Sequence, residues 1–205
     1  MKKWLLIALV AVSGFANAAI ELGKDYVVMD KPQPVANPKK VEVIEFFSYT
    51  CIHCFHLDPL MSAWEKSKPA YVDMRKEQIV WQKPMEGFAR FFATMNTTGT
   101  AAKLHSQAFK AVMEQKVNLS DPAILKGWLK KQPGVDFNKF MQTYNSFGIN
   151  SQVARAAQIT RTYNIEGTPT IIVNGKYQLL PAEPARLIQV MNELIAKAKA
   201  ESNIK

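Results

Sequence analysis

Residues 41–48 read VEVIEFFS, β-branched and aromatic and almost unbroken in apolarity, which is the pattern of a strand buried on both faces. The run passes through Tyr49 and Thr50 straight into Cys51-Ile52-His53-Cys54. From Cys51 the spacing turns helical, with Phe55, Leu57, Leu60, Met61 and Trp64 as the apolar positions and Pro69 past the end. A buried strand that runs directly into a helix commits the opening of the chain to an α/β layer, with a cysteine at the junction. A second strand is expected over 78–82, QIVWQ, and the helix between the two strands has about the length that a right-handed βαβ crossover uses.

The α/β pattern is then interrupted. From Met85 to Phe147 strand signals vanish, and helices are expected over 87–95, 100–115, 121–131 (capped by Ser120) and 137–146. A further helix over 151–163 precedes Gly167-Thr168-Pro169. Strands over 170–173 and 176–179 flank Asn174-Gly175, the strongest short-range hairpin signal a sequence offers. A last helix covers 184–199, and the stretch before Val41, with Pro32, Pro34 and Pro38, reads as a mobile start. There is no internal repeat and no low-complexity segment.

The first residues read as an export signal: Met1-Lys2-Lys3, an apolar stretch of 12 residues from Trp4 to Phe15, then Ala16-Asn17-Ala18. The stretch contains Ser13 and Gly14 and is shorter than the ~18 to 20 apolar residues that cross a bilayer. Cleavage is expected after Ala18, with no cysteine nearby to take a lipid, so the mature protein is expected free in solution. Loss of 1–18 leaves 24 basic and 17 acidic residues, a net charge of +7 over 187 residues, the size of one domain or one domain with an insert. Basic residues are scattered and interleaved with acids, Lys39-Lys40 and Lys130-Lys131 being the tightest pairs, so no phosphate-binding stripe is seen and nucleic acid is not an expected partner. The charge reads as solubility.

An exported chain of this size that relied on disulfides for stability would spread cysteine pairs along its length. This one has two cysteines, separated by two residues, whose bridge closes too small a loop to restrict the unfolded chain much. A reactive role remains. On the first turn of a helix the two sulfurs of Cys-x-x-Cys come within bonding reach, and the free amides and dipole of the helix start stabilise a Cys51 thiolate. His53 can add a positive charge or a hydrogen bond. The reduced pair is then stabilised by an anion that the oxidised pair cannot hold, which makes the protein an oxidant.

Rival readings are weaker. Zinc needs about four ligands; Cys51, His53, Cys54 and His56 lie within six residues and cannot easily surround one ion, and His105 is remote from them. Haem attachment requires C-x-x-C-H, but Phe55 follows Cys54. An iron–sulfur cluster requires more thiolates than the chain has. His56 and His105 read as surface or packing residues. No metal and no organic cofactor is expected. Glu45 stands inside the apolar strand between Ile44 and Phe46, either buried, and then paired or protonated, or reaching water at a strand end. Six residues before Cys51, it would lie behind the cysteines and could exchange protons with Cys54. Pro169, just before a buried strand, is a candidate cis bond.

EFFSYTCIHC together with GTPTIIVNGKYQL resembles the DsbA family of bacterial periplasmic disulfide oxidases, over nearly the whole mature chain. The resemblance implies an α/β, thioredoxin-like fold in two sequence pieces, 19–84 and 148–205, around an all-helical insertion domain, 85–147. It implies that Cys51 is the exposed nucleophile, Cys54 the buried resolving thiol, His53 the stabiliser of the Cys51 thiolate and Glu45 the buried acid behind the pair. It also implies a cis Thr168-Pro169 bond whose backbone receives the substrate chain. Ile52 and Thr168 depart from the Pro and Val of the best-known members, at positions against the cysteines and the bound peptide. The expected activity is donation of the Cys51-Cys54 disulfide to reduced exported polypeptides in the periplasm, by a monomer reoxidised by a quinone-linked membrane protein of the DsbB type. The nearest alternative is a disulfide isomerase or reductase, against which no separate N-terminal dimerisation domain precedes Val41; a metal-binding or chaperone-like module is the alternative of a different class.

Overall fold

The computed structural model describes residues 19–204, so the leader read over 1–18 lies outside the described residues. Five strands form one mixed sheet: β1 (Tyr26–Val28), β2 (Val41–Phe47), β3 (Val72–Gln78), β4 (Thr170–Val173) and β5 (Tyr177–Leu179), in the order β1-β5-β4-β2-β3. Seven α-helices accompany them among the described residues: α1 (Ile52–Ser67), α2 (Glu86–Thr98), α3 (Ala101–Met113), α4 (Pro122–Leu129), α5 (Phe137–Tyr144), α6 (Phe147–Thr162) and α7 (Pro184–Glu201). Every residue of β2 is buried, as its apolar run requires. It pairs parallel with β3, Val41 opposite Val72, and antiparallel with β4, Glu45 opposite Ile171. The β4-β5 hairpin turns on Asn174 and Gly175, both at positive φ (54° and 62°), the geometry that twists with the strands it joins.

The second strand is not where the apolar run over 78–82 placed it. β3 occupies Val72–Gln78, VDMRKEQ, whose polar side chains hide its period. Arg75 reaches Glu42 at 3.3 Å on one face and Lys76 reaches Glu45 at 2.9 Å on the other, so an edge strand is held by ion pairs in place of an apolar run. Ile79 and Val80 are buried in a loop that docks on α6, where the Val80 N–H donates to Thr160 Oγ1 at 3.1 Å. Three smaller differences follow. The N-cap of α4 is Asp121, not Ser120: its Oδ1 accepts from the Ala123 and Ile124 N–H groups at 2.7 and 3.0 Å, and Pro122 takes the first helical position. α6 starts at Phe147, not 151; Phe147 is 82% exposed and starts no apolar stripe. β1 is a short strand in the stretch read as a mobile start.

Two cores position the site. Between the sheet and helices α1 and α7 lie Val41, Val43, Leu57, Met61, Val190 and Leu194. A second core is built by α2 to α5 around Phe91, Phe92, Phe109 and Phe140, and Phe47, Tyr49 and Cys54 project into it. Each such ring contributes roughly 1.5–3 kcal/mol on burial. The strand exit and the start of α1 are therefore clamped from both sides at the point where the cysteines sit.

Candidate functional site

Cys51 is the N-cap of α1, in extended backbone conformation, and its Sγ accepts from the Cys54 N–H at 3.4 Å. The first turn of α1 contains no acidic side chain to oppose negative charge there. Both cysteines are free thiols; Cys51 is partly buried and Cys54 fully so. The Cys51 pKa falls from 9.0 to about 5. The Cys54 thiol donating to it is the largest cause; burial opposes the shift, and the Thr168 side chain and the backbone N–H groups of Cys54 and His53 add to it. Cys54 moves the opposite way. Burial first, then its role as donor to Cys51, then the neighbouring charges of Cys51 and Glu45, push its pKa far up against the pull of a backbone bond from Ser48. One helical turn thus holds one sulfur as an anion and its neighbour as a thiol.

The Thr168-Pro169 bond is cis, and the Thr168 carbonyl lies 3.1 Å from Cys51 Sγ, close enough to accept the Cys51 proton when the thiol is neutral. A groove of about 1490 Å³ opens beside it, lined by His53, His56, Leu179 and Leu187 as well as Thr168 and Pro169, with Lys31, Arg161 and Glu183 along its walls. Ile52 does not line this groove; it stands 44% exposed next to Cys51. His53 is exposed, and its backbone N–H is one of the groups that lower the Cys51 pKa.

Glu45 takes the buried of its two possible settings, at 2% exposure, with its Oε2 accepting from Lys76 Nζ at 2.9 Å. Burial pushes its carboxyl up while Lys76 pulls it down. Behind it lies a polar network that sequence reasoning missed. Tyr49 O–H pairs with His105 Nδ1 at 2.7 Å, His105 Nε2 faces Asp58 Oδ1 at 3.4 Å, and Ser106 and Ser62 donate to Asp58 at 2.6 and 3.2 Å. Burial, reinforced by the positive charge of Lys76, holds the His105 pKa down at about 3, so the ring is neutral, accepting from Tyr49 and turning its Nε2–H to Asp58. His105 is a buried packing residue, and His56 an exposed one. One signal was available: Asp58 falls on the buried face of α1 with Cys54, Leu57 and Met61, an acid at a core position. Among the described residues no three His, Cys, Asp or Glu side chains come together as a metal site.

The chain matches the family model of the DSBA-like thioredoxin domain over residues 82–190. It is 37% identical to the thiol:disulfide interchange protein DsbA of Burkholderia cepacia over 182 residues, covering 87% of this chain and 85% of that one. With the DsbA of Pseudomonas syringae pv. tomato it is 33% identical, covering 94% of each chain. Among solved structures, the oxidoreductase NmDsbA1 from N. meningitidis superposes with a TM-score of 0.84 at 34% identity, covering 91% of this chain and 97% of that one. Pseudomonas aeruginosa DsbA gives 0.82 at 32% identity, covering 88% and 95%. Sheet order, helical segments, a Cys-x-x-Cys at a helix start and this breadth of similarity agree: the chain belongs to the DsbA family of thioredoxin-fold proteins.

Proposed function

We propose that this protein is a periplasmic thiol:disulfide oxidoreductase that donates its Cys51-Cys54 disulfide to newly exported polypeptides. One observation carries the reading: the two thiols are driven to opposite sides of neutrality, with Cys51 ionised near pH 5 and Cys54 held as a thiol. A stable Cys51 thiolate is a good leaving group and stabilises the dithiol, so the disulfide is readily given away.

The cycle starts with the disulfide form. A substrate thiolate attacks Cys51 Sγ, the S–S bond breaks, and the electron pair leaves on Cys54 Sγ, which takes a proton. A second substrate thiolate attacks the substrate's own sulfur in the mixed disulfide and releases Cys51 as a thiolate, its favoured state. The substrate has lost two electrons and the protein holds a dithiol. Glu45, the buried acid beside the pair, serves the Cys54 proton, and His53 stabilises the Cys51 thiolate. Thr168 and Pro169 on the groove wall, with exposed Ile52, receive the substrate chain. The dithiol is returned to the disulfide by a quinone-linked membrane protein of the DsbB type; no metal or organic cofactor of its own is required.

The proposed layout is a leader cleaved after Ala18, then a thioredoxin-like unit of 19–84 and 148–205 around a helical insertion of 85–147, acting as a monomer. The core that α2 to α5 build, distinct from the one between the sheet and helices α1 and α7, supports the division, with Phe47, Tyr49 and Cys54 joining the two units. No helix among the described residues is long and apolar enough to cross a membrane.

The test separates the two sulfurs. Cys54→Ala leaves Cys51 able to form a mixed disulfide but removes the internal thiol that takes the bond back, so adducts with exported proteins accumulate on a non-reducing gel of periplasmic extract. Cys51→Ala leaves only a buried thiol and traps almost nothing. The reverse pattern would overturn the assignment of nucleophile and resolving thiol.

A further inference from the structure

Lys76 stands between two carboxylates. On β3, directly opposite Glu45 in the register, its Nζ lies 2.9 Å from Glu45 Oε2 and 3.5 Å from Glu65 Oε2. The three side chains run outward from the core: Glu45 is 2% exposed, Lys76 10% and Glu65, on the cysteine-bearing helix α1, 41%. A buried ammonium without a counter-ion is costly. If Glu45 supplies a proton to Cys54 and later regains one, the partner of Lys76 changes between an anion and a neutral carboxyl on every turnover. Paired with Glu45 alone, the ammonium would be stranded each time Glu45 is protonated, and that cost would hold Glu45 as a carboxylate, unable to give a proton.

We infer that Glu65 is the positioning residue that frees Glu45 to change protonation state: Lys76 turns to Glu45 when that carboxyl is ionised and to Glu65 when it is neutral. The inference deepens the proposed function and rests on its assignment of Glu45 as the acid serving Cys54. The step balances. As the substrate thiolate attacks Cys51 and the S–S bond breaks, the Glu45 proton passes to Cys54 Sγ, directly or through water. The new Glu45 carboxylate draws Lys76 from Glu65, and solvent returns the proton before the next turnover, sending Lys76 back.

The charged groups around Glu45 are consistent with this exchange. Lys76 comes from β3; Glu65 and Asp58 come from α1, and both raise the Glu45 pKa through their negative charge. Asp58 is already engaged by Ser62, Ser106 and His105, and His105 of α3 is neutral, so neither is free to take over the ammonium. Glu65 is a partner that Lys76 already touches.

The experiment compares full-length mature wild type with Glu65→Gln, Glu65→Asp and Glu45→Gln. Glu65 is on the surface of α1, so its replacement leaves the core intact. The readouts are the titration of the Glu45 side-chain carboxyl by carbon-13 NMR and the pH profile of thiol exchange with a reduced model peptide. Glu65→Gln is expected to lower the Glu45 midpoint by about one pH unit, a tenfold drop in its protonated fraction. The exchange profile should shift down in pH by the same amount, and Glu65→Asp should restore most of both. A Glu45 titration unmoved in Glu65→Gln overturns the inference; if Glu45→Gln still alters the exchange profile, the assignment of Glu45 survives that failure. A titration that shifts while the Glu45→Gln exchange profile matches wild type overturns the assignment of Glu45, and the inference with it.

Discussion

Lowering the pH from 7 to 4 should destabilise the reduced protein more than the oxidised one. At pH 7 folded Cys51, with its pKa at about 5, is ionised, while the same thiol in the unfolded chain, near 9.0, is not. A depressed folded pKa contributes stability that is fully present above the unfolded value and lost as pH falls through the folded one. At pH 7 the window between about 5 and 7 is open, worth about 2.7 kcal/mol at 1.36 kcal/mol per unit. Cys51 is partly open to water, and screening reduces this to about 1–2 kcal/mol. The oxidised protein contains no Cys51 thiolate and gains none of it. Cys54 adds nothing in this window because it is a thiol in both folded and unfolded chains, and the His105 contribution is common to both redox forms and cancels in the difference. Guanidinium denaturation of both forms at pH 7 and pH 4 measures the quantity directly. The stability of reduced relative to oxidised protein should drop by about 1–2 kcal/mol between the two pH values. A difference that stays constant would refute the thiolate mechanism, because loop closure by the disulfide does not depend on pH.

Three further outcomes are expected. His53→Ser should raise the Cys51 pKa by about one unit, seen in thiolate absorbance against pH; an unchanged titration reduces His53 to a spacer that lends only its backbone N–H. His105→Leu leaves the Tyr49 hydroxyl and Asp58 short of a partner and should cost about 1–3 kcal/mol at neutral pH. It should also flatten the fall of stability with acid, because the unfolded imidazole takes up a proton below 6.5 that the folded one refuses until about 3; a wild-type slope in this variant would place the acid sensitivity elsewhere. Gly175→Ala should destabilise more than Gly23→Ala by thermal denaturation. Both residues have positive φ, costing about 1–2 kcal/mol for a side chain, but a Cβ at Gly175 would collide with the Gln33 carbonyl while one at Gly23 meets open space, so equal losses would contradict the close approach of the hairpin to Gln33.

The sequence made the reactive centre legible because its elements are local. The apolar period of VEVIEFFS changes to helical spacing at Cys51, and β4, the Asn174-Gly175 turn and β5 carry their own short-range signals. What it hid depends on partners far along the chain. β3 is a strand because Arg75 and Lys76 find Glu42 and Glu45 across the register, and an apolar period cannot show charges that pair only after the sheet has formed. The Tyr49-His105-Asp58 network likewise spans 56 residues between its tyrosine and its histidine. Whether Glu45 was buried or wet turned on the same fact, since its partner sits in the strand that was misplaced. His105 read as a packing residue is correct in burial, but the period of α3 gives no sign that both its ring nitrogens are engaged.

The central claim is that a stabilised Cys51 thiolate makes the Cys51-Cys54 disulfide an oxidant, and equilibration with a glutathione redox buffer at neutral pH tests it most directly. With the Cys51 pKa near 5, the dithiol form should dominate at glutathione ratios that leave an ordinary structural disulfide intact, placing the couple well on the oxidising side of the glutathione pool. A thioredoxin-like value, roughly −270 mV, would contradict it and mark the protein as a reductase.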